Sequence, residues 1–323
     1  MAHEITKRQD GSYEMAFTGP RSNIWHGLGS QLEDGASLDV WAREAGLDWT
    51  VLEKPLHFME NGQQFVFSGK KALVRSNNMF PLSVVSSEYN VVQPKDVLYF
   101  FKDLVGNFKF KLSTAGTLFD GKKFWALAET NKKSFVKAKN DEVNAYLLLM
   151  TSVDGSTATI AKFTSTRVVC NNTMRVALAN GDDLSVKISH RSKFDPESVK
   201  LDLGVFEETW ELYMDDLNAL AEKQMSKIEV INFFETLHFP NKEAANFKEP
   251  QRRVISELDD LYENGAGANL CKGTAWGALN AVTNYHTFGS KNSRKSLSSQ
   301  FCESYIGKSA NVKTQAMKML LAA

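Results

Sequence analysis

Apolar positions alternate with polar ones in the middle of the chain and follow a helical repeat in its last third. Between residues 108 and 169 the alternation extends over short runs, which is typical of half-buried strands. Beyond Pro196, apolar residues recur at steps of three and four, which predicts amphipathic helices. We therefore expect an α+β fold: an antiparallel, hairpin-rich sheet with packed helices, followed by a mainly helical C-terminal part.

Three Asx-Gly pairs mark the expected hairpins: Asn61-Gly62, Asp120-Gly121 and Asp154-Gly155. Such pairs supply the positive φ angles that two-residue turns require, and two-residue turns join only antiparallel strands. The extended runs that the pattern predicts are 49–59, 64–66, 71–75, 82–92, 108–112, 123–130, 143–153 and 157–166.

Capping residues set the boundaries of the predicted helices. Ser37 is a suitable N-cap and Gly46 a C-terminal stop for a short helix, and Pro94 begins a helix over 95–105. Later helices are predicted over 206–220, 227–237, 252–263, 276–285 and 312–321, with a Ser/Lys-rich loop over 289–299.

The segment 163–178 connects the sheet to the helical part. Asn171, Asn172 and Thr173 carry side chains that accept hydrogen bonds from the first amides of a helix, so we expect them to cap a helix over 173–179. We divide the chain into an irregular N-terminal segment 1–35, an α+β antiparallel-sheet domain 36–193 and a mainly helical region 194–323 that packs on it.

Composition indicates a globular protein without a membrane partner. Hydrophobic residues make up 43% of the chain, and no apolar run approaches the roughly 20 residues that span a bilayer. The first residues are polar and lack the apolar stretch of a secretion signal. Cys170, Cys271 and Cys302 are too few and too far apart for a disulfide framework or a zinc site. We expect a cytoplasmic protein in a reducing compartment.

The net charge is zero, but it is distributed in blocks of opposite sign. Residues 1–100 carry a net charge of −3, residues 101–193 carry +7, residues 194–263 carry −10 and residues 264–323 carry +6. This distribution predicts an anionic partner, or head-to-tail association of copies into a homo-oligomer. Solvated faces whose opposite charges meet within one fold explain it equally well.

Sequence motifs for catalysis, nucleotide binding and metal binding are missing. The chain has no phosphate loop, no dinucleotide fingerprint after a strand, no His-Glu-x-x-His pattern and no nucleophile elbow. The many carboxylates of 206–220 lie on the polar face of a predicted helix, where solvation is their ordinary role. We therefore predict no catalytic residue, no metal and no cofactor. An unrecognised enzyme acting on nucleic acid, with His26 or His190 taking part, is an alternative.

Four segments of the chain carry a resemblance to a known family. They are Trp25-His26-Gly27-Leu28-Gly29, Gly46-Leu47-Asp48-Trp49-Thr50-Val51, Thr166-Arg167-Val168-Val169-Cys170-Asn171-Asn172-Thr173 and Thr274-Ala275-Trp276-Gly277-Ala278-Leu279-Asn280-Ala281-Val282-Thr283-Asn284-Tyr285. In this order they resemble the phage/plasmid-like protein family, a domain of unknown function found in bacteriophages, prophages and conjugative plasmids. The chain departs slightly from that family at Asn284, Tyr285 and His286.

The resemblance implies an origin in a mobile genetic element and a bacterial host cytoplasm as the setting. It also implies an association with DNA recombination and replication. It supplies no catalytic residue that carries over to this chain.

Basic residues in and after the predicted sheet are candidates for phosphate contact. We predict nucleic-acid contacts for Lys122, Lys123, Lys162, Arg167, Arg175, Lys187, Arg191 and Lys193. Phe108, Phe110, Phe124 and Trp125 alternate with lysines and are candidates for base stacking. The competing interpretation is a half-buried strand with its aromatic side chains inside and its lysines outside.

The leading hypothesis is a non-catalytic DNA-binding protein of a phage or plasmid that binds or anneals single-stranded DNA in recombination or replication. Its partners would be single-stranded DNA, or another nucleic acid, and further copies of itself. The hairpin meander followed by a helix is similar in outline to the core of single-strand annealing proteins. The alternative partner is a host protein: the chain would then inhibit a host defence or restriction system, its acidic block 194–263 mimicking DNA charge.

Overall fold

The computed structural model describes residues 5–20, 28–136, 141–167, 170–173, 185–202, 206–241, 243–288 and 297–322. These residues form an α+β fold with antiparallel hairpins in the first part and helices in the last, as the hydrophobic pattern predicts. Within them, no helix is both long enough and apolar enough to cross a membrane.

Strands dominate up to residue 188 and helices follow. The strands are β1 (Met15–Thr18), β2 (Ser30–Leu32), β3 (Val51–Glu60), β4 (Gln63–Arg75), β5 (Pro81–Ser86), β6 (Lys111–Leu118), β7 (Lys123–Val136), β8 (Asp141–Ser152), β9 (Thr159–Arg167), β10 (Cys170–Thr173) and β11 (Ser185–Ile188). The helices are α1 (Leu38–Glu44), α2 (Pro94–Tyr99), α3 (Lys102–Phe108), α4 (Pro196–Asp202), α5 (Phe206–Glu222), α6 (Lys227–His238), α7 (Glu249–Asn264), α8 (Ala268–Cys271), α9 (Ala275–Phe288), α10 (Leu297–Ile306) and α11 (Lys308–Ala322).

The strands form two sheets. The larger has the order β10-β9-β8-β7-β6-β1-β2, and β11 also pairs with β9. It is mixed, because β1 pairs antiparallel with β6 but parallel with β2. The smaller sheet has the order β3-β4-β5, and all its pairings are antiparallel.

The Asx-Gly turns join strands as predicted. Asn61 and Gly62 have φ angles of 50° and 75° and connect β3 to β4. Asp120 and Gly121 have φ angles of 58° and 88° and lie between β6 and β7, but the connection 119–122 is longer than the predicted two-residue turn. The strands β8 and β9 are neighbours, as predicted, but the connection 153–158 is longer than a two-residue turn.

Helix positions also follow the prediction in most places. The Ser37 Oγ accepts a hydrogen bond from the Val40 amide at 3.4 Å and caps α1, and Pro94 is the first residue of α2. The helices α5, α6, α7, α9 and α11 cover the predicted helical segments. However, the predicted helix 95–105 is divided into α2 and α3, and α10 begins at Leu297, inside the predicted loop.

Long-range strand pairing overturns other local predictions. Segment 1–35 is not irregular throughout, since it contains β1 and β2. β4 is one continuous strand where two runs were expected, and it ends at Arg75. Phe108 ends α3, and β6 begins only at Lys111.

The predicted helix cap at Asn171, Asn172 and Thr173 is wrong. These residues belong to β10, which pairs antiparallel with β9 so that Thr173 lies opposite Thr164. They extend the sheet by one strand. Apart from Thr173, the helix predicted over 173–179 lies outside the described residues.

The chain divides into two compact units. The first unit comprises Met1–Asn131, Tyr146–Lys162 and Ser185–Gly204, and the second comprises Lys132–Ala145, Phe163–Leu184 and Val205–Ala323. Because β7, β8 and β9 each contribute residues to both units, each unit is built from separate segments of the chain. The predicted boundaries at 35 and 193 divide the chain in sequence order instead.

Each unit has its own buried core. In the first unit, Phe17, Trp41, Trp49, Phe124 and Trp125 are almost fully buried. In the second unit, α9 is buried along most of its length and contacts α5, α6, α7, α8, α10, α11 and β10. The second core is thus organised around one apolar helix.

Candidate nucleic-acid interface

A two-stranded ribbon in the first unit is exposed to solvent on both faces. β5 pairs with β4 only from Lys70 to Val74, so the outer parts of β3 and β4 pair only with each other. Of residues 54–70, all but Leu56 are exposed. We call residues 54–70 the ribbon.

Three phenylalanines are exposed on this ribbon. Phe58 lies opposite Phe65 in the β3–β4 register, and their ring centroids are 5.4 Å apart with the planes 21° from parallel. Phe67 follows Phe65 two residues later on β4, where a register shift interrupts the pairing with β3. The three side chains are 49%, 41% and 51% exposed, respectively. We call them the aromatic face.

Large apolar side chains clustered in this way are seldom exposed without a binding role. The other face of the ribbon adds Met59 and Val66, each 64% exposed, so the ribbon displays apolar side chains on both faces. Large exposed apolar patches mark binding sites for a partner. An isolated two-stranded ribbon is also only marginally stable in water, and the stacked Phe58–Phe65 pair contributes to holding it together.

Two unpaired lysines lie at the base of the ribbon. Lys54 and Lys70 are exposed, and neither forms an ion pair with a described residue. Lys71 differs, because its Nζ donates to the Glu53 Oε2 at 2.8 Å and to the Tyr89 carbonyl at 2.7 Å. The base of the aromatic face therefore offers free positive charge.

Five of the eight predicted contact residues lie at the surface of the first unit. Lys122 and Lys123 are half-exposed in the β6–β7 turn, whereas Lys187, Arg191 and Lys193 are exposed in and after β11. None of the five forms an ion pair with a described residue.

The β8–β9 connection brings four of these five residues to the same end of the sheet. The Val153 amide donates to the Lys122 carbonyl at 2.8 Å. The ring nitrogens of His190 lie 3.2 Å from the Asn90 carbonyl oxygen and 3.0 Å from that of Thr157. The connection 153–158 therefore lies between the Lys122-Lys123 turn and the segment that carries Arg191 and Lys193. Lys187 lies further along β11.

An acidic side chain within that connection is held ionised. Burial raises the pKa of Asp154, but hydrogen bonds from the Ser156 hydroxyl and amide, aided by the charge of Lys123, outweigh burial and leave the pKa below its ordinary value. The carboxylate offsets part of the positive charge of its neighbours.

The other three predicted contact residues do not lie at the surface that the structure describes. Lys162 is only 4% exposed, so its ammonium group lies inside the protein. The backbone of Arg167 ends β9, but its side chain lies outside the described part of the structure, as does all of Arg175.

Three of the four candidate stacking residues are wrong, because they are buried. Phe124 is fully buried, and Trp125 and Phe110 are 2% and 8% exposed. The Trp125 Nε1 donates to the Thr114 Oγ1 at 3.3 Å inside the unit. These aromatic side chains form core, as the competing interpretation expected. The side chain of Phe108 lies outside the described residues.

Sequence reasoning missed the aromatic face, although a signal was present. Phe65, Val66 and Phe67 are consecutive apolar residues directly after a tight turn, where only alternate positions can be buried by one packed face. A run of this kind belongs to a strand that is either buried on both faces or exposed on both.

A polar cleft of about 550 Å³ lies beside the base of the ribbon and carries mixed charge. Its lining includes Lys71 and Lys193, but also the carboxylates of Glu53, Glu88 and Asp96. Opposed charges do not select an anion, so we leave the cleft out of the interface.

The acidic block is partly neutralised within the second unit. The Lys227 Nζ contacts Asp259 and lies 2.6 Å from the Glu263 Oε1, and Lys272 contacts Glu263 as well. Lys227 is already counted in the net charge of −10 of the block, so only Lys272 brings positive charge to it from outside. Within the described residues, no group of three His, Cys, Asp or Glu side chains is placed to hold a metal ion.

Fold and surface together define an α+β protein whose described part has an exposed aromatic β-ribbon and unpaired lysines. The chain belongs to the family described as "Domain of unknown function (DUF932)", whose model matches residues 81–316. The ribbon lies before the matched residues. No curated protein and no solved structure matches the chain at a significant level.

Proposed function

We propose that the chain is a non-catalytic, single-stranded DNA-binding protein of a phage or plasmid that acts in the cytoplasm of a bacterial host. The observation that carries the proposal is the aromatic face, with the paired Phe58 and Phe65 and the neighbouring Phe67 all exposed on the ribbon. Single-stranded nucleic acids bind to proteins by stacking successive bases on such rings.

The rings favour a single strand over a duplex. Bases in a duplex are already stacked on one another and show only their edges, whereas unpaired bases expose their faces. Each base stacked on an aromatic side chain contributes about 1–3 kcal/mol, with little dependence on sequence. We therefore expect preference for single strands and weak discrimination among their sequences.

The free cations supply the phosphate contacts. Lys54 and Lys70 lie on the same ribbon as the aromatic face, and Lys122, Lys123, Lys187, Arg191 and Lys193 form no ion pair with a described residue that binding would have to break. Each contact with a phosphate releases counterions, so binding weakens as salt rises.

The resemblance to phage and plasmid proteins supports the setting and a role in recombination or replication. Annealing of complementary strands by a homo-oligomer is the specific activity we infer from it. The blocks of opposite charge, −10 over 194–263 and +6 over 264–323, would suit head-to-tail contacts between copies.

Binding of a labelled oligothymidine to the full-length chain at low salt, measured by fluorescence anisotropy, tests the proposal. We expect Phe58→Ala and Phe65→Ala each to weaken binding about tenfold, since one stacked base contributes about 1–3 kcal/mol. Phe135→Ala is the matched control, because Phe135 is similarly exposed, at 43%, but lies on β7. Equal affinities for the wild type and the ribbon variants would contradict the proposal.

A protein partner is the competing outcome, because the ribbon is apolar on both faces. If the wild type binds no oligonucleotide, the ribbon should be tested in a pull-down from host lysate with and without nuclease. A nuclease-resistant partner that the double variant Phe58→Ala/Phe65→Ala loses would replace DNA binding with the host-inhibitor alternative.

A further inference from the structure

Two histidines of the second unit meet end to end. His238 is the last residue of α6 and His286 lies near the end of α9. Their Nε2 atoms are 3.1 Å apart, their ring centroids 5.3 Å, and their planes differ by 9°. Such a short Nε2–Nε2 distance with nearly parallel planes describes rings that point at each other within one plane, and not rings that stack face to face.

The partners of the other ring nitrogens determine where the protons lie. The His238 Nδ1 lies 2.9 Å from the Phe234 carbonyl oxygen, which only accepts, so this nitrogen carries a proton. In neutral His238 the Nε2 is then a free acceptor, and His286 donates to it from Nε2. The Ser309 hydroxyl, 3.4 Å from the His286 Nδ1, donates to that nitrogen.

One tautomeric change converts this pair into a pair of ligands. If the His286 proton moves from Nε2 to Nδ1, Nδ1 donates to the Ser309 Oγ, since a hydroxyl accepts as well as it donates. Both Nε2 atoms then carry lone pairs, both Nδ1 protons are hydrogen-bonded to oxygen, and the pair has lost no proton. Histidines that bind metals show this arrangement, with the second nitrogen donating to a carbonyl or another oxygen.

We propose that His238 and His286 form a binding site for a borderline divalent ion such as Zn²⁺ or Co²⁺, with water molecules as the remaining ligands. Zinc lies about 2.0–2.1 Å from histidine nitrogens, which places two tetrahedral nitrogen ligands about 3.3 Å apart. The observed 3.1 Å is close to that separation, so the two nitrogens need little displacement, but each ring has to turn within its plane to aim its lone pair at the ion instead of at the other nitrogen. Both histidines are partly exposed, which allows water to complete the coordination.

Neutral imidazole is the form that binds a metal ion, and the two histidines lie on different helices of the second unit. The bound ion would fix the end of α6 to α9 and, through Ser309, to the start of α11.

Isothermal titration of the chelator-treated, full-length chain with Zn²⁺ tests the site, with the Co²⁺ absorption spectrum as a second readout. We expect one ion per chain, a higher melting temperature with the ion, and at least about tenfold weaker binding for both His238→Ala and His286→Ala. Ser309→Ala should weaken binding by less than either histidine variant does, because it removes only the oxygen that hydrogen-bonds to the His286 Nδ1. The control is His57→Ala, since His57 is exposed on the ribbon of the first unit.

Circular dichroism of each variant separates loss of the site from loss of the fold. His286→Asn, which keeps a polar side chain near Ser309, replaces His286→Ala if the latter does not fold. Wild-type protein that binds no Zn²⁺, or folded His238 and His286 variants that bind it as tightly as the wild type, would overturn the proposal.

Discussion

Glu14 and Arg75, 61 positions apart, form a buried two-point ion pair in the first unit. The Arg75 Nη2 lies 2.9 Å from the Glu14 Oε1 and Nη1 lies 3.2 Å from Oε2, with the side chains 3% and 7% exposed. The Thr117 Oγ1 donates to the same carboxylate at 2.5 Å, and the guanidinium carbon of Arg75 lies 4.3 Å from the Trp49 ring centroid. The pair thus links the residue before β1 to β4, to β6 and to Trp49, which lies between α1 and β3.

Removing one member of this pair should destabilise the protein strongly. Arg75→Ala leaves the Glu14 carboxylate buried without its cation, which typically costs about 3–5 kcal/mol. Urea unfolding followed by tryptophan fluorescence measures the change. Arg43→Ala is the control, because the Arg43–Glu44 pair is exposed and should contribute less than about 1 kcal/mol. Similar losses for the two variants would contradict the structural role of the buried pair.

The side chain of Glu14 also leaves room only for glycine at position 46. Its φ is 69°, and a Cβ placed there would lie 2.5 Å from the Glu14 Cβ and Cγ. Gly46→Ala should therefore cost more than the roughly 1–2 kcal/mol of the left-handed backbone alone. Gly155→Ala is the matched control, with a φ of 74° and open space around it. Gly46→Ala should lower the free energy of unfolding clearly more than Gly155→Ala does. Equal losses would show that a Cβ at position 46 does not clash with Glu14.

Local signals in the sequence account for much of the fold. The Asn61-Gly62 and Asp120-Gly121 turns and the Ser37 cap depend on neighbouring residues, so a sequence pattern reveals them. The stripe of apolar residues in α5 is equally local. These elements form where the pattern predicts them.

Elements that depend on distant partners could not be predicted. β1 lies in a glycine-rich stretch and is a strand because Met15 pairs with Gly116, and β10 is a strand because Thr173 pairs with Thr164. The exposure of Phe58 and Phe65 likewise depends on where β5 stops pairing with β4. The Phe65-Val66-Phe67 run indicates that this part of β4 is either buried on both faces or exposed on both, but it does not decide between them.

Lysines of the ribbon should determine part of the salt dependence of DNA binding. On a single strand, each phosphate contact changes the slope of log K against log salt by about 0.7. The double variant Lys54→Ala/Lys70→Ala should therefore lower the slope by about 1.4 if both contact phosphate. Anisotropy titrations at several salt concentrations measure it. Lys227→Ala is the control, because Lys227 is paired with acidic residues in the second unit. An unchanged slope in the double variant would remove both lysines from the interface.

Asp154 should make the stability of the β8–β9 connection depend on pH in the acid range. Burial raises its pKa, but hydrogen bonds from Ser156 and Ser152, together with the charge of Lys123, outweigh burial and hold the pKa below the ordinary 3.8, so the folded state binds its proton less readily than the unfolded state does. Its stabilising contribution is therefore complete above pH 3.8 and is lost as the pH falls through the folded pKa. The urea midpoint of Asp154→Ala should lie below that of the wild type near neutral pH, and the gap should close on acidification. Ser156→Ala removes the hydrogen bond from the hydroxyl to Asp154. In that background, Asp154→Ala should therefore lower the urea midpoint by less than it does in the wild type. A gap between wild type and Asp154→Ala that stays constant down to the acid end of the titration would show that the carboxylate charge contributes nothing there.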